Sequence, residues 1–198
     1  VQFLPDTAEK AEQVFVFQRT PNWLLPNPDY YREVAEGHKW LLQHVPYYEA
    51  WNRFRAVRLF GDVTWPAVVL DPEWDDKGRS MNEASDAMRE ALTEHIKEGL
   101  GDRQDLLEKV VPTFPVWGKR LIIDNNWFST ITRSNVELVS DTIASVTDSG
   151  ITMADGKHYE VDVVILATGF ESNRFLWPMD IRGKSGVSLE QVWGDDPR

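Results

Sequence analysis

The sequence predicts an α/β fold with parallel strands. Three stretches of its 198 residues carry that expectation. Residues 160–170, EVDVVILATGF, hold a near-continuous apolar run in Val161, Val163, Val164, Ile165 and Leu166. Such a run of mostly β-branched residues matches a strand buried on both faces, as in a parallel sheet. It closes on Ala167-Thr168-Gly169, two small residues around a hydroxyl, where glycine lets the backbone turn sharply or approach a ligand. Ligands of open α/β sheets bind beyond the carboxyl ends of strands, so this tripeptide is a candidate binding element, the alternative being an ordinary glycine turn. Val14–Phe17, VFVF, is a second short buried strand, and Leu121-Ile122-Ile123 is a third.

Composition narrows the classes of function. With 42% hydrophobic residues, 9 Trp, 9 Phe and 5 Tyr, the chain has the material for a packed core. A formal charge of −11 argues against nucleic acid or an anionic membrane surface as the main partner, so any anionic ligand needs a local basic cluster. The absence of cysteine excludes disulfides, thiolate zinc sites and a cysteine nucleophile within these residues. No apolar run approaches the ~20 residues of a membrane span, and no secretory leader is visible, so a cytoplasmic protein is expected.

In chain order, Val1–Gln13 reads as the tail of a helix interrupted by Pro5. After the VFVF strand comes Gln18-Arg19-Thr20-Pro21-Asn22-Trp23. An arginine at the end of a parallel strand is placed to meet a phosphate, which guanidinium binds through paired hydrogen bonds; a surface arginine beside a proline turn is the plain alternative. Residues 29–112 read as a helical insertion. Asp29 is expected to cap a helix reaching about Val45, Pro46 to open the next, and Trp40, Leu41, Leu42, Trp51 and Phe54 to supply core faces. Ser80-Met81-Asn82-Glu83 has the form of a capping box, with Met81, Ala84, Met88, Leu92 and Ile96 on one face of the helix it opens and Gly99 and Gly101 ending it. A short helix from Asp102 must stop before Pro112. Lys119-Arg120, after Gly118 and before the third strand, is a pair of cations in an acidic chain: an anion site or a solvated pair. Asp124 is read as a loop-capping residue or as a partner that orients Arg120. Asn135–Glu160 reads as an antiparallel meander with a hairpin turn at Asp155-Gly156. Three patterns carry no reading: Gly183-Lys184-Ser185 lacks the first glycine of a P-loop, the four histidines have no metal-ligand spacing, and there is no G-x-S-x-G.

The motifs V-F-Q-R-T-P-N-W (16–23), G-K-R (118–120), D-V-V-I-L-A-T-G-F (162–170) and the closing L-E-Q-V-W-G-D-D-P-R occur in an order that resembles the class B flavoprotein monooxygenases, and within them the Baeyer–Villiger monooxygenases. The resemblance covers residues 14–28 and 113–198 well and the helical middle poorly. It implies a truncated Rossmann-like NADP-binding domain (1–28 and 113–160), a helical insertion (29–112), and a meander leading through 161–198 back to the FAD domain. Both glycine-rich loops of the family would lie upstream of Val1, so the chain is expected to be an internal piece that holds no FAD alone. The resemblance further implies FAD and NADPH as cofactors, Arg19 on the 2′-phosphate with Thr20 beside it, and Lys119 reinforcing the choice of NADPH over NADH. It gives Arg120 the catalytic role of stabilising a C4a-peroxyflavin, and Ala167, Thr168 and Gly169 a place at the cofactor. The implied reaction inserts one oxygen of O₂ into a ketone to give an ester or lactone. Oxidation of nitrogen or sulfur, and a non-catalytic nucleotide-binding fragment, are the alternatives.

Overall fold

The computed structural model describes residues 1–169, 176 and 178–194. Phe170 and the last four residues of the closing motif lie outside them. The chain divides into two units, Val1–Ala144 with Met153–Lys157, and Ser145–Thr152 with His158–Arg198. Its mixture of helices and strands agrees with the α/β expectation at that level.

The first unit holds two parallel strand pairs. Strand β1 (Val14–Phe17) pairs in parallel with β4 (Val136–Val139), in the register Val14 to Val136 through Phe17 to Val139. Strand β2 (Leu24–Leu25) pairs in parallel with β3 (Ile122–Ile123). The parallel partner of β4 corrects the reading of 135–160 as wholly antiparallel. Local sequence cannot disclose a pairing that spans more than a hundred residues.

Helix α1 (Leu4–Lys10) buries Leu4 and Ala8. Pro5 lies in its first turn, where a missing N–H costs nothing, so proline opens this helix instead of interrupting it. The long helix α4 (Glu83–Leu100) buries Ser85, Arg89, Leu92, Ile96 and Leu100. Its cap is Asn82, whose side chain accepts the Ser85 N–H at 2.8 Å. Ser80, expected in that role, is instead buried; its hydroxyl donates to Asp86 Oδ1 at 2.9 Å and accepts Trp74 Nε1 at 3.1 Å. The buried face is accordingly rotated from the one expected: Leu92 and Ile96 are in it, but Met81 and Ala84 are not. A 3₁₀ turn (Gln104–Leu106) and α5 (Leu107–Val110) end before Pro112, as its restriction on the preceding residue requires. Helix α6 (Trp127–Ile131) packs Phe128 against α4: a Cβ on Gly99 would stand 2.6 Å from that of Phe128. Trp23, Leu24, Ile96, Leu100, Phe128 and Leu138 belong to the resulting core.

Helices α2 (Glu36–His44) and α3 (Tyr48–Phe60) bury no residue. Trp40, Trp51 and Phe54 are each more than half exposed, which corrects their assignment to a core. Nor does Asp29 cap α2; Ala35 occupies the cap position, and Asp29 pairs with Arg32 at 3.1 Å in the turn before it.

The strands of the remaining sheet run β5 (Ile143–Thr147), β6 (Gly150–Met153) and β7 (His158–Glu160) in that order. β6 and β7 are antiparallel and turn through Asp155-Gly156 as expected, with Gly156 at φ +90°. Val161–Gly169 forms no strand. The Val161 N–H still donates to the Ser149 carbonyl at 3.2 Å, but Val163 and Leu166 beyond it are 74% and 81% exposed. A strand buried on both faces needs neighbours on its edges and layers over its faces, and the described residues place none there. Helix α7 (Leu189–Trp193) opens with a reciprocal capping box between Ser188 and Gln191. Among the described residues no helix is long and apolar enough to cross a membrane.

Candidate functional site

Two loops of the first unit carry the predicted cations. The first leaves β1, prolonged by the Gln18 N–H to the Val139 carbonyl at 2.8 Å, and presents Arg19 and Thr20 to solvent before β2 begins. The second precedes β3 and presents Lys119 and Arg120, both exposed. Because β2 and β3 are parallel neighbours, the residues leading into them run side by side.

Asn22, to which the sequence alone assigns no role, joins the loops. Its Oδ1 accepts the Trp23 N–H at 3.1 Å, and its Nδ2 donates to the Arg120 carbonyl at 3.0 Å. The geometry therefore brings Arg19-Thr20 and Lys119-Arg120 onto two chain segments cross-linked between them. Trp23, fully buried, secures the base by donating Nε1 to the Phe114 carbonyl at 3.0 Å. Gly118 closes the second loop with its N–H on the Pro115 carbonyl at 2.9 Å; a Cβ there would lie 2.9 Å from that oxygen, so the turn requires glycine.

Among the described residues, none of Arg19, Lys119 and Arg120 forms an ion pair. Asp124 does not orient Arg120. One of its oxygens accepts the Trp127 N–H, the first of α6, at 2.8 Å, and the other meets His95 Nε2 at 2.8 Å. This is the loop-capping role, and it leaves the Arg120 charge uncommitted. Three cations and a threonine hydroxyl on linked loops form a donor set suited to a phosphate in a chain of net charge −11. A small cleft of about 130 Å³ is lined in part by Gln18, Thr20, Pro21, Asn22, Val110 and Trp127; of the four donors only Thr20 borders it.

The residues fit FAD less well. No G-x-G-x-x-G occurs in the 198 residues. Ala167, Thr168 and Gly169 lie in the second unit, exposed and beyond no described strand, although Gly169 has the positive φ of +89° anticipated for a turn. Among the described residues they form no cradle for a pyrophosphate.

No family model matches the chain. Individual relatives do, along its whole length and through the helical stretch as well. An uncharacterized monooxygenase, y4iD, of Sinorhizobium fredii is 34% identical over 196 residues, which is 99% of this chain and 30% of that protein. The 2-oxo-Δ3-4,5,5-trimethylcyclopentenylacetyl-CoA monooxygenase of Pseudomonas putida is 31% identical over 222 residues, covering 100% of this chain and 40% of the relative. Among solved structures, an oxidized steroid monooxygenase bound to NADP superposes with a TM-score of 0.74 at 25% identity, over 99% of this chain and 42% of that one. A Baeyer–Villiger monooxygenase of Pseudooceanicola batsensis is 29% identical over 228 residues, again 100% of this chain and 40% of its own length. The chain is thus, from end to end, a homologue of the Baeyer–Villiger monooxygenases, spanning 30–40% of the length of these relatives.

Proposed function

We propose that the chain is the NADP-binding part of a longer FAD- and NADPH-dependent monooxygenase that inserts one oxygen of O₂ into a ketone, giving an ester or lactone. The reading rests on one observation above all: homology along the whole chain coincides with three cations, in no ion pair among the described residues, displayed on two loops that Asn22 ties together. In finer detail it takes residues 1–28 and 113–160 as a truncated Rossmann-like domain, 29–112 as its helical insertion and 161–198 as the return to the FAD domain.

NADPH, when bound, supplies a hydride. The chain's own residues bind and select it. Arg19 offers the 2′-phosphate a planar pair of N–H donors, Thr20 adds a hydroxyl, and Lys119 adds a compact charge from the second loop. NADH lacks that phosphate, so these contacts discriminate between the coenzymes. Arg120, a cation that keeps its proton under burial better than lysine does, is the catalytic candidate and stabilises negative charge arising during oxygen transfer. Ala167, Thr168 and Gly169 keep only the cofactor role that the resemblance implies.

In the full-length protein, Arg19→Ala or Lys119→Ala should raise KM for NADPH roughly tenfold to a hundredfold, the value of one charge-assisted hydrogen bond, and leave NADH nearly unchanged. Equal losses with both coenzymes would show that these residues serve the fold. Arg120→Ala should suppress ester formation while NADPH is still consumed, and Arg120→Lys should rescue it poorly. An unchanged ratio of ester formed to NADPH consumed would remove Arg120 from the catalytic role.

A further inference from the structure

Phe114 is held from behind and faces Lys119 in front. Its carbonyl accepts two hydrogen bonds, from Trp23 Nε1 at 3.0 Å and Arg89 Nη1 at 3.2 Å. Arg89 is 8% exposed, donates also to the carbonyls of Arg79 at 3.2 Å and Pro112 at 2.9 Å, and lies 5.0 Å from the Trp23 ring centroid. The backbone at 114 is thereby fixed to α4 and to the start of β2. The Phe114 ring, in turn, lies 4.7 Å from the Lys119 ammonium. Gly118 makes this approach possible, because even the Cβ it lacks would come within 3.2 Å of Phe114 Cδ2.

We propose that Phe114 is a positioning residue for coenzyme selection, holding the Lys119 ammonium over its ring in the place where a 2′-phosphate is met. This rests on the reading of Lys119 given above. A free lysine side chain spreads its charge over many rotamers, and ordering it on binding costs affinity. A carboxylate could order it but would neutralise it. An aromatic face attracts the cation and leaves its three N–H donors and its charge available to a phosphate. Sequence alone offers only a Phe five residues before a Lys, a spacing that suggests no contact outside a specific turn.

The test uses the full-length protein and compares KM for NADPH and NADH. Phe114→Leu keeps the pinned carbonyl and removes the ring face. It should weaken NADPH roughly two- to fivefold, as expected for a partly exposed cation–π contact, and leave NADH unchanged. Phe114→Tyr should retain the preference. In a Lys119→Ala background, Phe114→Leu should change the ratio no further. Phe114→Met, longer and more adaptable than leucine, gives the same reading if leucine loosens the loop. The proposal is overturned if Phe114→Leu affects both coenzymes equally, or if its effect persists without Lys119. If Lys119→Ala itself leaves the ratio unchanged, the assignment of Lys119 fails first and this inference falls with it.

Discussion

Trp23, followed by two leucines, and Trp51, three residues before Phe54, both read from sequence as core residues, yet their environments are opposite. Trp23 is fully buried, with its indole N–H bonded to a carbonyl and a guanidinium over its ring. Trp51 stacks on Phe54 and is 58% exposed, on a helix that buries nothing. Apolar periodicity marks a face that prefers to be covered; it does not say whether the same stretch of chain supplies the cover. Around Trp23 the cover comes from elements distant in sequence, α4 and the 112–114 segment. Around Trp51, and along Val163–Leu166, the described residues provide little.

That contrast has a direct thermodynamic consequence. Trp23→Ala should destabilise the chain by about 3–5 kcal/mol, combining lost burial with the cavity left behind. Trp51→Ala should fall within about 0.5 kcal/mol, as for surface positions. Urea unfolding of the two variants checks both figures. A large loss at Trp51 would mean that α3 is covered after all, and the comparison would collapse.

The contact between α4 and α6 sharpens the same point at smaller scale. Gly99→Ala would ordinarily strengthen a helix by up to about 1 kcal/mol. Here the added methyl meets the Phe128 Cβ at 2.6 Å, an atom too close to the backbone to swing away. Overpacking costs typically about 1–3 kcal/mol, so the clash outweighs the propensity gain and the melting temperature should fall. A rise would show that the two helices separate readily.

What can be read from sequence follows from range. The VFVF strand, the Asp155-Gly156 turn, the end of α5 before Pro112 and the placing of Arg19 and Lys119-Arg120 beside strands depend on a few adjacent residues. The parallel register of β1 with β4 and the Asn22 bridge to Arg120 depend on residues about a hundred positions apart, and no local pattern records them. Arg89 is an intermediate case. It continues the spacing 85, 89, 92, 96, 100 of the buried face of α4, a repeat legible in sequence, but a charge in such a repeat reads as solvated until its carbonyl partners are known. The run 161–166 is legible as apolar but not as exposed, because burial belongs to the neighbours and not to the run.

The smallest expected effect concerns the start of α4, where the sequence pattern points to Ser80 as the cap. Asp86 Oδ1 accepts the Ser80 hydroxyl at 2.9 Å and Arg79 Nε at 3.0 Å, with the Asp86 side chain 25% exposed. The Ser80 hydrogen bond, first, and then the Arg79 contact hold the Asp86 carboxyl below the usual carboxylate range. A carboxyl depressed in the folded state releases its proton more readily there than when unfolded, so ionised Asp86 favours the fold. That contribution is complete above the unfolded value and is lost as pH falls through the depressed one. Asp86→Asn should therefore lower stability by about 1 kcal/mol at neutral pH, the worth of a typical net hydrogen bond. The gap from the parent chain should narrow below the usual carboxylate range and close once Asp86 is protonated in both states. Ser80→Ala should give a similar loss at neutral pH, but part of it should persist in acid, because the Trp74 indole N–H keeps its need for an acceptor whatever the charge on Asp86. Urea unfolding across pH resolves the two patterns. If the Asp86→Asn gap stayed constant down to the acid limit, charge at Asp86 would have no part in holding Ser80 and the first turn of α4 together.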